Sequence, residues 1–229
     1  MNFTQARQNM VDGQLRTNKV TDYGIIDAFK AVPREEFVSR EQKSIAYVDE
    51  DLPLKFGQSI RYMMEPMVLA RLIQAADIKD DDLVLDVGCL TGYSTAILSR
   101  LCGEVTGIDS NSYALNKAKE TCKALGYYNI TLKKADLETG IKAKSKFDVI
   151  LFSGALPEVP EAYFDMLANN GRLLAVIDEN AAYEDNTVGQ AVVWQKIGKG
   201  AKAPISLREL FDAQVKPLPG FEQEKGFQF

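Results

Sequence analysis

The chain contains no histidine at all. That absence removes Ser-His-Asp and Cys-His catalysis, and with them the commonest zinc ligand. Any chemistry here runs without imidazole. Cysteine is scarce: Cys89, Cys102 and Cys122 are the whole supply. An odd count without regular spacing builds no disulfide framework and matches no metal-finger pattern, so no metal is expected, and a reduced, cytoplasmic protein is the simplest reading. Basic surplus is missing too, with 27 Lys and Arg against 32 Asp and Glu for a net charge of −5. The nearest basic run, KAKSK (142–146), reads as a solvated loop, so the footprint of a nucleic-acid binder is absent. No window holds the apolar length of a membrane helix. The opening MNFTQARQNM is polar and lacks the apolar run of a signal peptide. Internal repeats, low-complexity tracts and interdomain linkers are also lacking.

What remains is ordinary for a globular domain. The 229 residues suit one domain with appendages and can bury a sizeable core. Residues 1–45 carry helical periodicity. QARQNMVDGQLR and TDYGIIDAFKAV read as helices, the second with Thr21 or Asp22 as N-cap, and REEFVSREQKSIA as a shorter one after the break at Pro33. The segment YVDEDLPLKFGQSIRYMME reads as polar and irregular, punctuated by Pro53 and Gly57. Pro66 then suits the first turn of a helix, PMVLARLIQAADI.

From Leu83 the pattern changes. Short apolar strands LVLDVG, EVTGID, ITLKKAD, FDVILFSG and RLLAVID alternate with the helical stretches STAILSRLC, SYALNKAKETCKALG and EAYFDMLAN. The alternation predicts an α/β fold, with a mostly parallel sheet covered by helices on both faces. AVVWQKI reads as a sixth strand and AQVKPLP as a last one. Together they predict a C-terminal hairpin with an antiparallel strand at the sheet edge.

The chemistry concentrates in VLDVGCLTGY, which begins at Val84. Open α/β sheets bind ligands beyond the carboxyl ends of their strands, and the turn from Gly88 to Gly92 lies there. The dinucleotide pattern G-x-G-x-x-G fails, because Leu90 replaces its second glycine and no third follows. Charge decides more firmly. Asp86, at the end of the first strand, repels a pyrophosphate and welcomes the ammonium and sulfonium of S-adenosylmethionine. Asp109, after the second strand, suits ribose hydroxyls of either ligand. Asp136, after the third, suits an adenine amino group. Solvated turn acids are the alternative for each one alone, but three acids at three successive strand ends favour a pocket.

With these residues in view, the chain resembles the protein-L-isoaspartate O-methyltransferase family. The likeness is carried by AVPREEFV (31–38), by AYVDEDLPL followed by GQSI (57–60), and by VLDVGCLTGYS. FDVILFSGALPEVPEAYFDMLANNGRLL (147–174) and LPGF near the C-terminus extend it over most of the chain. The resemblance implies a Rossmann-like methyltransferase three-layer sandwich with a helical N-terminal extension. It implies S-adenosyl-L-methionine as cofactor and esterification of isoaspartyl carboxylates in damaged proteins, a repair activity. By resemblance, Asp86, Gly88, Gly92, Asp109 and Asp136 map to cofactor contacts. The implied division is an extension with a substrate loop over 1–65, a cofactor-binding core over 66–180 and a C-terminal hairpin over 181–229. A carboxylate acceptor is ionised at neutral pH, so methyl transfer to it needs no general base, which suits a histidine-free chain.

Two positions depart from the family. Its loop usually reads G-Q-T-I-S, with the last serine regarded as catalytic. Here Gln58 precedes Ser59 in the threonine position and Arg61 in the serine position. Ser59 and Arg61 are therefore the catalytic candidates, with Gln58 and Ser153 as substrate-binding candidates. Arg61 can pair bidentately with a substrate carboxylate, stand at the surface, or partner Asp49, Glu50 or Asp51. Ser153 either faces the substrate or caps the next turn. The second departure is Leu90, where the family has glycine. Its side chain either crowds the amino-acid end of the ligand or faces away. Tyr62, Met63 and Met64 form an adaptable apolar lid or pack against the N-terminal helices. Trp194 reads as strand core or edge cover, and Cys89 as a small residue in a tight turn rather than a reactive thiol. A methyltransferase with another acceptor, and a non-catalytic adaptor that binds cofactor or isoaspartate, are the competing functions.

Overall fold

A computed structural model describes residues 1–142, 146–181, 187–200 and 203–221. Most of the basic run KAKSK, residues 143–145, lies outside the described residues. The N-terminal extension opens with α1 (Phe3–Met10), capped by the Asn2 side chain, and its last turns widen into a π-helical stretch over Val11–Leu15. α2 (Tyr23–Ala31) begins at Asp22, whose carboxylate accepts from the Ile25 N–H, so Asp22 rather than Thr21 is the cap. REEFVSREQKSIA forms no α-helix. It makes two 3-10 segments, Arg34–Glu36 and Arg40–Ile45.

The segment expected to be irregular is an antiparallel hairpin, β1 (Leu52–Phe56) on β2 (Ser59–Met63), turning at Gly57 and Gln58. Leu52 and Leu54 point inward while Pro53 and Lys55 point out, which is the two-residue period of a half-buried strand. Pro53 is tolerated because the hairpin is a separate two-stranded sheet in which both strands are edges.

α3 (Pro66–Ala76) leads into the main sheet. β3 (Leu83–Val87), α4 (Tyr93–Leu98), β4 (Glu104–Asp109), α5 (Ser112–Ala124), β5 (Ile130–Lys134), β6 (Phe147–Leu156), α6 (Glu161–Met166), β7 (Leu167–Ile177), β8 (Gly189–Lys196) and β9 (Ile205–Ala213) follow. Asn111 caps α5 at its start, and Gly126 follows its end with positive φ. The seven strands run in the order β5-β4-β3-β6-β7-β8-β9. The first five in that order are parallel, and β8 and β9 are antiparallel. The expected hairpin is present, but its outer strand is ISLRELFDA. Most of the expected strand AQVKPLP instead forms a strap, 214–219, that touches the sheet at an isolated bridge between Ala155 and Pro217.

Apolar clusters cover both faces of the sheet. One joins α1, α2 and α3 to residues such as Val84 and Val149. The other gathers Phe152, Tyr163 and Leu218 on the opposite side. Trp194 covers this second face, its ring edge-on to Phe164 at 5.7 Å. The strand order reverses between β3 and β6, which places the switch point at the ends of β3, β4 and β6. No described helix is long and apolar enough to cross a membrane.

Candidate active site

The glycine turn closes tightly on itself. The N–H groups of Gly88 and Cys89 both donate to the Ile108 carbonyl, and the Gly92 N–H donates to the Cys89 carbonyl at 2.8 Å. Gly88, Leu90 and Gly92 all hold positive φ, at 82, 50 and 91°. At Gly92 a Cβ would stand 3.1 Å from the Ala118 Cβ, so glycine there lets α4 approach α5. Leu90 adopts the same left-handed region at a cost of about 1 kcal/mol. Its side chain is buried, and it lines a cavity together with Tyr62, Met63, Met64 and Thr91.

Asp86 ends β3 with no exposure. Its Oδ2 accepts from Ser94 Oγ at 2.7 Å and Thr95 Oγ1 at 2.6 Å, and its Oδ1 accepts from Ser153 Oγ at 2.7 Å. Burial raises its pKa, the three hydroxyls oppose the shift, and the charge of Asp109 adds to it. Ser153 also lines the cavity beside the turn. It completes the hydroxyl cage around Asp86.

Asp109 ends β4, also with no exposure. Arg61, reaching in from β2, meets it as a two-pronged fork, Nη1 to Oδ1 and Nη2 to Oδ2, each at 3.0 Å. The Leu90 N–H donates to Oδ2 at 3.0 Å and the Asn111 N–H to Oδ1 at 2.8 Å. Arg61 therefore pairs with none of Asp49, Glu50 and Asp51, nor does it present its guanidinium to solvent. Its partner is the carboxylate expected to hold ribose. The reason is packing: residue 61 is an inward position of β2, and a buried guanidinium requires a buried anion.

The other candidates lie further out. Gln58 and Ser59 are exposed at the hairpin tip. Asp136 is exposed beyond β5, where its Oδ1 accepts from the Glu138 and Thr139 N–H groups, an Asx turn. Cys89 is buried, and burial pushes its thiol well up, which keeps it neutral and inert. The structure thus brings together Arg61, Asp86, Gly88, Gly92, Asp109 and Ser153, and keeps Gln58, Ser59 and Asp136 at the rim.

One organising residue escaped the sequence reading. Arg34, inside AVPREEFV, is fully buried. Its guanidinium lies 4.6 Å over the Tyr93 ring and donates to the carbonyls of Ala46 (2.8 Å) and Met64 (3.0 Å). It ties the extension, the end of the hairpin and the start of α4 into one body. Nothing local marks an arginine for burial, so this role had no sequence signal.

The donor set suits a cationic nucleoside: acids at two neighbouring strand ends, a glycine turn between them, and the Thr91 hydroxyl, 3 % exposed and without a partner among the described residues. The free space does not yet hold one. The cavity beside the turn measures about 20 Å³, room for about one water.

Comparison with known proteins agrees with this frame. A family model described as protein-L-isoaspartate (D-aspartate) O-methyltransferase matches residues 5–196. The chain is 37% identical over 172 residues to a protein-L-isoaspartate O-methyltransferase of Koribacter versatilis, covering 75% of this chain and 76% of that one. It is 32% identical over 213 residues to protein-L-isoaspartate O-methyltransferase 2 of an Anaeromyxobacter strain, covering 93% and 82%. Among solved structures, a protein-L-isoaspartate O-methyltransferase superposes with a TM-score of 0.80 at 23% identity, over 94% of this chain and 67% of that one. A putative protein-L-isoaspartate O-methyltransferase from Plasmodium falciparum, in complex with S-adenosyl-L-homocysteine, superposes with a TM-score of 0.72 at 20% identity, covering 95% and 98%. At those identities the two structures speak to the Rossmann-like methyltransferase fold. The family match and the curated relatives identify the chain as a member of the protein-L-isoaspartate (D-aspartate) O-methyltransferase family.

Proposed function

We propose that this chain is an S-adenosyl-L-methionine-dependent carboxyl O-methyltransferase that acts on isoaspartyl residues of damaged proteins. The observation that carries the reading is the pair Asp86 and Asp109, buried on either side of the glycine turn in a chain of this family. Asp86, Gly88 and Gly92 would frame the amino-acid end of the cofactor, and Asp109 its sugar. Asp136, with one carboxylate oxygen outside its Asx turn, is the candidate for the adenine amino group. The cofactor, when bound, supplies an electrophilic methyl on a sulfonium.

The chain's own task is orientation. The acceptor carboxylate arrives ionised, so it needs no proton removed. Holding it in line is worth several kcal/mol of barrier. Gln58 and Ser59 are the candidates to meet the acceptor, and their exposure at the hairpin tip suits one as large as a protein. Three buried free cysteines suit a reducing compartment, the cytoplasm.

The test is a paired assay with labelled methyl donor, an isoaspartyl peptide and its aspartyl twin. The expected outcome is base-labile label on the isoaspartyl peptide alone. Equal labelling of both peptides, or of neither, would rule the reading out.

A further inference from the structure

We propose that Arg61 is a latch: seated on Asp109 it holds the place of the cofactor's sugar, so cofactor binding has to release Arg61 and, with it, strand β2. The proposal rests on the methyltransferase reading above and concerns what that reading leaves open, namely how the site admits its ligand.

A count of acceptor positions carries the argument. An ionised carboxylate offers about four lone-pair positions on two oxygens. At Asp109 all four are taken, two by the Arg61 fork and two by the N–H groups of Leu90 and Asn111. The two backbone donors belong to the glycine turn and the α5 cap, and they stay wherever the fold stays. A sugar hydroxyl can therefore reach Asp109 only when the guanidinium leaves.

Space gives the same answer. The cavity beside the turn, walled by Met63, Met64 and Leu90, measures about 20 Å³. Thr91, whose buried hydroxyl has no hydrogen-bond partner among the described residues, lines it too.

The hairpin is built to be released. As strands, β1 and β2 pair with each other and stand outside the main sheet. At its base, Asp51 accepts from the N–H groups of Glu65 and Lys216, which fixes a hinge. At its tip, Gln58, Ser59 and Ile60 are exposed. Between base and tip, Arg61 is the side chain that ties the hairpin to β4. A serine at position 61 could not make such a fork. With arginine there, the apparent affinity of the sugar site is reduced by the fraction of time the latch is shut. Cofactor entry and movement of the tip that meets the acceptor become one event.

Calorimetric titration with S-adenosylhomocysteine tests this on the intact chain, on Arg61→Ser and on Arg61→Lys. Serine should bind at least about tenfold tighter than arginine. Lysine, a single charge without the fork, should fall between. Affinity equal within about twofold, or weaker in Arg61→Ser, overturns the latch and leaves the methyltransferase reading standing. No binding by any of the three folded proteins overturns both. Because Arg61→Ser strips a cation from a buried carboxylate and can fail to fold, hydrogen exchange on the unaltered chain provides a second reading. With millimolar S-adenosylhomocysteine, amides of 59–63 should exchange at least about threefold faster while those of 88–92 slow down. Hairpin exchange that is unchanged or slower overturns the proposal.

Discussion

Leu218 occupies the open face of Gly88: a Cβ on that glycine would lie 2.4 Å from Leu218 Cδ2, and one on Gly154 would lie 2.7 Å from the same atom. The strap is held there by paired bonds, Leu218 N–H to the Ala155 carbonyl and Ala155 N–H to the Lys216 carbonyl. The glycine turn is thus shaped by the protein's own C-terminal segment as well as by any ligand.

Gly88→Ala should therefore destabilise the chain by about 2–5 kcal/mol. Roughly 1–2 of this comes from left-handed backbone and roughly 1–3 from overpacking against Leu218. Leu218→Ala in the same chain should remove the second part and leave the first. Urea unfolding of the single and double variants gives the coupling. Strict additivity of the two costs would show that the clash is relieved elsewhere.

Leu90→Gly sets two effects against each other. It removes left-handed strain of about 1 kcal/mol and deletes a buried leucine side chain, a loss of about 2–5 kcal/mol. The deletion wins, so the variant should be less stable by about 1–4 kcal/mol. It should also bind S-adenosylhomocysteine more tightly, because it enlarges the cavity that Leu90 walls. Chemical denaturation and calorimetry read the two effects separately. A gain in stability, or weaker binding, contradicts this account.

Arg34 should prove far more sensitive than any exposed arginine. Arg34→Ala leaves the Ala46 and Met64 carbonyls without a donor and Tyr93 without its cation, for a loss of about 3 kcal/mol or more. Arg34→Lys should recover little, because one ammonium cannot span both carbonyls and the ring. Thermal and urea unfolding measure both variants. A loss under about 1 kcal/mol in Arg34→Ala would mean the network is dispensable.

Glu65 makes stability depend on pH. Burial, then the charges of Asp51 and Asp49, lift its pKa from 4.5 to about 7. A raised carboxyl pKa means the folded chain holds a proton that the unfolded chain releases between those values. Folding stability contributed by this group is therefore present below pH 4.5 and lost as pH rises through about 7. Half-burial screens the effect, so its size is on the order of 1 kcal/mol. Glu65→Gln should flatten the decline between pH 5 and 7.5. Parallel unfolding curves at the two pH values check it, and an unchanged slope in the variant removes Glu65 as the cause.

The sequence by itself determined the order of strands and helices, the parallel sheet, the glycine turn, the strand-end acids and the absence of imidazole chemistry. These follow from period, turn residues and side-chain inventory, which act within a few neighbouring residues. The hairpin was legible in part: Leu52 and Leu54 alternate with Pro53 and Lys55, but Pro53 reads as a breaker until the strand is seen to lie on an edge. Strand β9 was harder, because nearly all of ISLRELFDA is exposed or half-buried and lacks an inward face. Tertiary structure alone decided the rest. Arg61 meets Asp109 across 48 positions and Leu218 meets Gly88 across the whole core. A buried cation seeks whichever anion the fold leaves unsolvated, and a glycine's empty face is filled by whatever packs there. Both choices are made by three-dimensional proximity, which no local pattern encodes.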